Sequence, residues 1–137
     1  MHAVYFSHLC STWALAGLIW TVQLVLYPMF SSVGVGEFKR YHKRHTKQMT
    51  WVVAPLMLME LFTGAWMAVR GACDFWLWVG LVLLGLIWLS TWRVQVPLHE
   101  RLSSGFDAQV HRRLVDTNWL RKILWTVRGF AVVLASN

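Results

Sequence analysis

The sequence predicts an all-α protein: one four-helix bundle, residues 1–137, crossing a membrane up-down-up-down. Three observations carry this reading. Hydrophobic residues fill 57% of the 137 positions and mean hydropathy is +0.47, too apolar for a soluble domain of this size. The apolar residues gather in four runs, each near the roughly 20 residues that a helix needs to cross a bilayer. The basic residues collect in the segments between alternate runs.

The runs cover about residues 4–30, 49–69, 75–96 and 119–135. None alternates as a barrel strand does, so helices are the spanning option. The first run has no basic stretch before it and is too long for a signal-peptide core, so it reads as a true span ending at Tyr27-Pro28. Lys39, Arg40, Lys43, Arg44 and Lys47 follow it. Arg93, Arg101, Arg112, Arg113, Arg121 and Lys122 surround the third-to-fourth connection. The second-to-third loop has Arg70, offset by Asp74. The excess of Lys and Arg then places both long connections in the cytoplasm and both termini on the non-cytoplasmic side. The net charge of +7 sits at membrane edges, so the expected partner is the lipid bilayer. Nucleic acid is not expected, because the charges have no separate fold to display them.

The connections also read as helix. Residues 37–48 carry Phe38, Tyr41, His42 and His45 at helical spacing and lead into the second run, where Pro55 predicts a kink. Pro97 to Leu102 extends the third run, Ser103-Ser104-Gly105 makes a turn, and residues 107–115 lead into the fourth. Helices two to four are thus expected to extend at the cytoplasmic face. Of the ten tryptophans, Trp13, Trp51, Trp76, Trp78, Trp92 and Trp119 lie near span ends, as interfacial anchors do. Trp20, Trp66, Trp88 and Trp125 lie deeper, for packing, lipid contact or a stacked aromatic ligand.

Ionisable residues inside spans are costly and therefore point to function. Glu60 and Arg128 each lie about 15 Å along their helices from the basic face, at 1.5 Å per residue. They are expected to meet as a buried pair, either fixing helix register or forming a proton or anion site. Gln23 and Ser90 or Thr91 are candidates to join them. A second polar level lies at the cytoplasmic face. His42 and His45 share a helix face, and His99 follows Pro97 at the matching end of the third span. The three imidazoles are candidate ligands for one Zn, Fe or Cu ion, or a pair of them for haem; the alternative is interfacial histidines bonded to headgroups. Glu100, Asp107, His111, Asp116 and Asn118 fall in the same layer, while His2 and His8 lie on the opposite face. Cys10 and Cys73 both fall toward the outer face, where a disulfide between them is allowed.

Three segments carry a resemblance. They are Tyr27-Pro28 with Phe38-x-x-Tyr41-His42-x-x-His45 and Pro55-Leu56-Met57; Val96-Pro97-Leu98-His99-x-x-Leu102; and Asn118-Trp119-x-Arg121. In order and spacing they resemble the anthrone-oxygenase-like family of four-helix integral membrane proteins, most of which have no assigned function. The resemblance implies a shared polar site at the cytoplasmic ends of spans two, three and four. For some members it implies oxidation of aromatic anthrones by dioxygen without an established cofactor. Pro97, Asn118 and Arg121 match the family's pattern. His42, His45 and His99 depart from it, since amide side chains are common there, which favours metal or haem and puts an anthrone substrate in doubt.

The expectation is therefore a membrane-embedded oxidoreductase or oxygenase-like protein acting on a small hydrophobic aromatic or quinone-like substrate. His42, His45 and His99 would be ligands or acid–base groups, Asn118 and Arg121 would orient the substrate, and Glu60 and Arg128 would complete the catalytic set. The competing class is a non-catalytic accessory subunit of a larger membrane complex, or a homo-oligomer, with the tryptophans packed on partner chains. A transporter is disfavoured by the small size and the lack of an inverted repeat.

Overall fold

The structure, a computed structural model, describes residues 2–70 and 74–135. Every regular element among them is helical, and they form four rods: α1 (His2–Ser32), α2 (Val35–Val69), α3 (Phe75–Leu102) and α4 (Ala108–Leu134). The helices outrun the apolar stretches at the basic end, as the spacing of residues 37–48 and 97–102 predicts. Local chemistry sets the starts. The Asp74 carboxylate accepts from the Leu77 amide at 2.9 Å, and Asp107 accepts from Gln109 and Val110 at 2.8 and 3.0 Å, so each caps its helix. Gly105, at φ +150°, turns the chain between α3 and α4 in a conformation that side chains disfavour.

Two of the three prolines deform their helices. In α1 the turn at Val22–Leu26 is π-helical, with the Tyr27 amide donating to the Val22 carbonyl just before Pro28. In α3 the turn at Thr91–Gln95 is π-helical, with the Val96 amide donating to Thr91 just before Pro97. Proline lacks an N–H and crowds the carbonyl four residues back; a widened turn relieves that crowding. The extra residue also rotates the helix beyond it. Tyr27 and Gln95 end up buried. At Pro55 the α-helical pattern of α2 continues with no π-helical turn.

α1 packs along both α2 and α4, and α3 packs along α4, while α2 and α3 touch little. The shared core runs through Leu15, Ile19, Val22, Met57, Ile87 and Trp125. Toward the basic end it becomes aromatic around Phe30, which is fully buried and edge-on to Phe38, Tyr41, His42 and His45. Outside, Trp51, Phe62, Phe75 and Trp92 are each about two-thirds exposed or more.

α1, α2 and α3 are long and apolar enough to cross a membrane. α4 is not among them, because Arg121, Lys122 and Arg128 interrupt its apolar run. All three are buried. The Lys122 ammonium lies over the Trp20 ring at 3.9 Å and the Trp119 ring at 2.9 Å, contacts that favour a cation. The charges that lower the apolarity of α4 thus face protein.

The α1–α2 contact depends on Gly64, where a Cβ would meet Leu81 Cδ2 at 2.8 Å and His8 Cε1 at 3.1 Å. Gly64→Val is expected to destabilise the fold by about 1–3 kcal/mol, measured by denaturation in detergent. Gly17→Ala, with nothing within 4 Å, serves as the control and should not lower stability.

Candidate functional site

The bundle holds two polar layers. The first joins Glu60 of α2 to Arg128 of α4 as an ion pair with both side chains fully buried. The Arg128 Nε–H donates to the Gly80 carbonyl of α3 at 3.1 Å, and Nη1 donates to Thr12 Oγ1 of α1 at 2.6 Å as well as to Glu60. Nη2 lies 3.0 Å from His8 Nε2, which must accept, since a guanidinium only donates. The His8 proton is then on Nδ1, which donates to Thr63 Oγ1 at 2.7 Å.

The expected pairing of Glu60 with Arg128 is present, but the expected helpers are elsewhere. Gln23 bonds to α4 nearer the basic end, and Thr91 donates to its own helix at the Ile87 carbonyl. His8 joins instead, a residue the sequence places on the opposite face from the histidine cluster without a role. The available signal was its helical spacing, His8 with Thr12 and Glu60 with Thr63, which puts each pair on one helix face.

The second layer crosses all four helices near the basic end. His42 Nε2 of α2 lies 3.1 Å from His99 Nδ1 of α3, and His99 Nε2 lies 3.1 Å from the Tyr27 hydroxyl of α1. Tyr27 donates to Gln95 Oε1 at 3.4 Å, Gln95 Nε2 donates to Thr117 Oγ1 of α4 at 3.0 Å, and Thr117 donates to the Arg113 carbonyl at 2.6 Å. One assignment of protons satisfies the chain: Nε2–H on both His42 and His99, every donor pointing the same way. His42 Nδ1 is then the open acceptor at its head, buried and without a partner. Beside this chain, Arg121 Nη1 donates to Asn118 Oδ1 at 3.1 Å, and Asn118 Nδ2 donates to Gln23 Oε1 at 2.9 Å. His111 bonds the Tyr27 carbonyl through Nε2 at 2.8 Å.

These contacts answer the metal and haem expectation. His42 and His99 do come together, but both ring nitrogens of His99 are engaged, one by His42 and one by Tyr27. His45 joins by packing instead, edge-on to Phe30 and stacked with Tyr41. Among the described residues no three His, Cys, Asp or Glu side chains are grouped to hold a metal ion. A three-imidazole centre therefore does not fit this arrangement, while His42 Nδ1 keeps no hydrogen-bond partner. Of the carboxylates expected nearby, Asp107 caps α4, while Glu100 and Asp116 are exposed. Cys10 is a free, exposed thiol; Cys73, and with it the expected disulfide, lies outside the described residues.

The layer borders a cavity of about 550 Å³ between α2 and α3, which touch little. Most of its wall is apolar, with Met49, Met57, Trp88, Trp92 and Trp125. Tyr27, Gln95, His99 and Arg121 converge on it, and His45 and Glu100 also reach it. A ligand-sized apolar cavity with a few converging polar groups is the usual form of a small-molecule site. Tyr27 and Gln95 are the functional candidates that residue types missed. Gln95 and His99 are four apart on one helix face, a signal the sequence does hold.

His42, His45 and His99 lie beyond the apolar runs of α2 and α3. Burial lowers all three imidazole pKa values: His42 to about 4, helped by nearby His45; His99 to about 3, helped by His42, His45 and Arg121; and His45 in the same direction. His42 and His99 are thus neutral over the physiological range.

No family model matches the chain, nor does any curated protein or solved structure.

Two outcomes follow from this geometry. Glu60→Leu leaves Arg128 buried without its counter-charge and is expected to cost about 3–5 kcal/mol, whereas Glu60→Leu with Arg128→Met should recover much of that. Chemical denaturation in detergent reads both, and a double variant no more stable than the single one would argue against the pair. In side-chain nitrogen NMR spectra, His42 and His99 should keep their neutral signature from pH 7 down to about pH 5. Protonation near pH 6.5 would contradict their burial.

Proposed function

We propose that the chain is a four-pass membrane protein, up-down-up-down with both termini on the non-cytoplasmic side. In this reading it resembles the anthrone-oxygenase-like family in activity as in its motifs, an oxidoreductase or oxygenase-like protein acting on a hydrophobic aromatic or quinone-like molecule. One observation carries the functional part: a mostly apolar cavity of about 550 Å³ that ends on Tyr27, Gln95, His99 and Arg121. Its position between α2 and α3 supports entry of a membrane-dissolved ligand from the side. The inward-facing charges of α4 support its being the fourth span, since a helix whose cations pack on protein need not present them to lipid.

The chain's residues would divide the work. Trp88, Trp92 and Trp125 hold a flat ring by its faces. Arg121, oriented by Asn118, stabilises negative charge that develops on a ring oxygen during oxidation. The His99–His42 pair and Tyr27 are the acid–base groups beside the cavity. Glu60 and Arg128 position the helices beneath the cavity. No step requires a metal or haem; dioxygen as oxidant is what the family resemblance implies.

Because tryptophans line the cavity, a quinone inside it quenches their fluorescence. Titrating the protein in lipid nanodiscs with 2-methyl-1,4-naphthoquinone should give saturable quenching that weakens in Trp88→Phe and Trp92→Phe. Quenching no greater than that of free tryptophan would count against the reading. For topology, alkaline phosphatase fused after Asn137 should be active, and inserted at Ser104 inactive; the reverse pattern inverts the orientation.

A further inference from the structure

α4 carries two buried arginines two helical turns apart, and the protein treats them differently. Arg128 has Glu60. Arg121 has no carboxylate: the ion pairs among the described residues are Arg40–Glu37 and Arg128–Glu60. Arg121 is only 7% exposed. Its partners are neutral: the Asn118 carbonyl oxygen at 3.1 Å, the Tyr27 hydroxyl and the face of Trp125 at 5.3 Å; its Nε–H is buried without an acceptor. The imidazoles nearest the site are held neutral by burial. Glu100, the one carboxylate on the cavity wall, is exposed and forms no ion pair. A buried charge without a counter-charge is strongly unfavourable, and this one lines a cavity.

We propose that the missing counter-charge is the ligand's: the cavity takes a flat aromatic molecule bearing one ionised ring hydroxyl, its oxyanion on the Arg121 guanidinium and its rings against the tryptophans. The proposal rests on the cavity being a ligand site and adds the charge and chemical class of what enters it. Asn118 is then a positioning residue. Its Oδ1 holds the guanidinium while its Nδ2 is anchored on Gln23, and as an amide it orients Arg121 without neutralising it. An ionised hydroxyl suits this site better than a neutral carbonyl, since charge on both partners rather than on one strengthens its bonds to the guanidinium. It also removes the unpaired charge.

The test compares two probes of nearly equal size by tryptophan quenching at pH 7 in nanodiscs. 2-Hydroxy-1,4-naphthoquinone is an anion there, and 2-methoxy-1,4-naphthoquinone is its neutral analogue. The wild-type protein is expected to bind the anion at least about tenfold more tightly. Arg121→Gln should bring the two affinities within about twofold, and Arg121→Lys should keep most of the preference. Asn118→Asp, which supplies a carboxylate at 3.1 Å from Nη1, should abolish the preference with Arg121 in place, so the test survives if Arg121→Gln fails to fold. Equal wild-type affinities, or a preference that persists in Asn118→Asp, overturns the proposal while leaving the cavity a ligand site. Saturable binding of neither probe overturns both.

Discussion

One guanidinium touches all four helices. Arg128 of α4 reaches Gly80 on α3, Thr12 and His8 on α1 and Glu60 on α2, and His8 closes the ring by bonding Thr63 of α2. In an apolar bundle, dispersion and shape alone orient helices weakly, because one apolar face resembles another. A fully buried ion pair with directional hydrogen bonds to each neighbour permits far fewer arrangements. Gly64 belongs to the same constraint, since a side chain there would displace His8.

The two π-helical turns do the complementary work at the other end. Each precedes a proline, at Pro28 and Pro97, and each widens a helix just before it delivers a polar residue inward, Tyr27 in α1 and Gln95 and His99 in α3. Proline removes the N–H that a regular α-turn would use, and the backbone accommodates this by a local change of register. The consequence is a hydrogen-bonded line from His42 to the backbone of α4, with neutral imidazoles at its head. The line borders the cavity between α2 and α3.

The contrast between Arg121 and Arg128 runs through the functional argument. Both are buried on one helix, but Arg128 is neutralised within the chain and Arg121 is not. The first kind of arginine holds a structure. The second lies beside an apolar cavity, bonded to Asn118.

Much of this was legible in the sequence. Four apolar runs, their helical character and their extensions past the basic end follow from hydropathy and spacing, which depend on residues close together in the chain. The pairing of Glu60 with Arg128 also followed, because two lone charges at equal depth have few other ways to be satisfied. Tertiary structure alone decided the partners. No local pattern says that His8 faces Arg128, that Gln23 and Thr91 do not, or that His99 spends both ring nitrogens on His42 and Tyr27 instead of on a metal. Which polar groups meet depends on helix rotation, and that is set by the packing of all four helices and by two turns of added register. The four charged or polar residues first read as one catalytic set are thus divided by the fold into two layers. Glu60 and Arg128 hold the bundle, and Arg121, bonded to Asn118, faces the cavity.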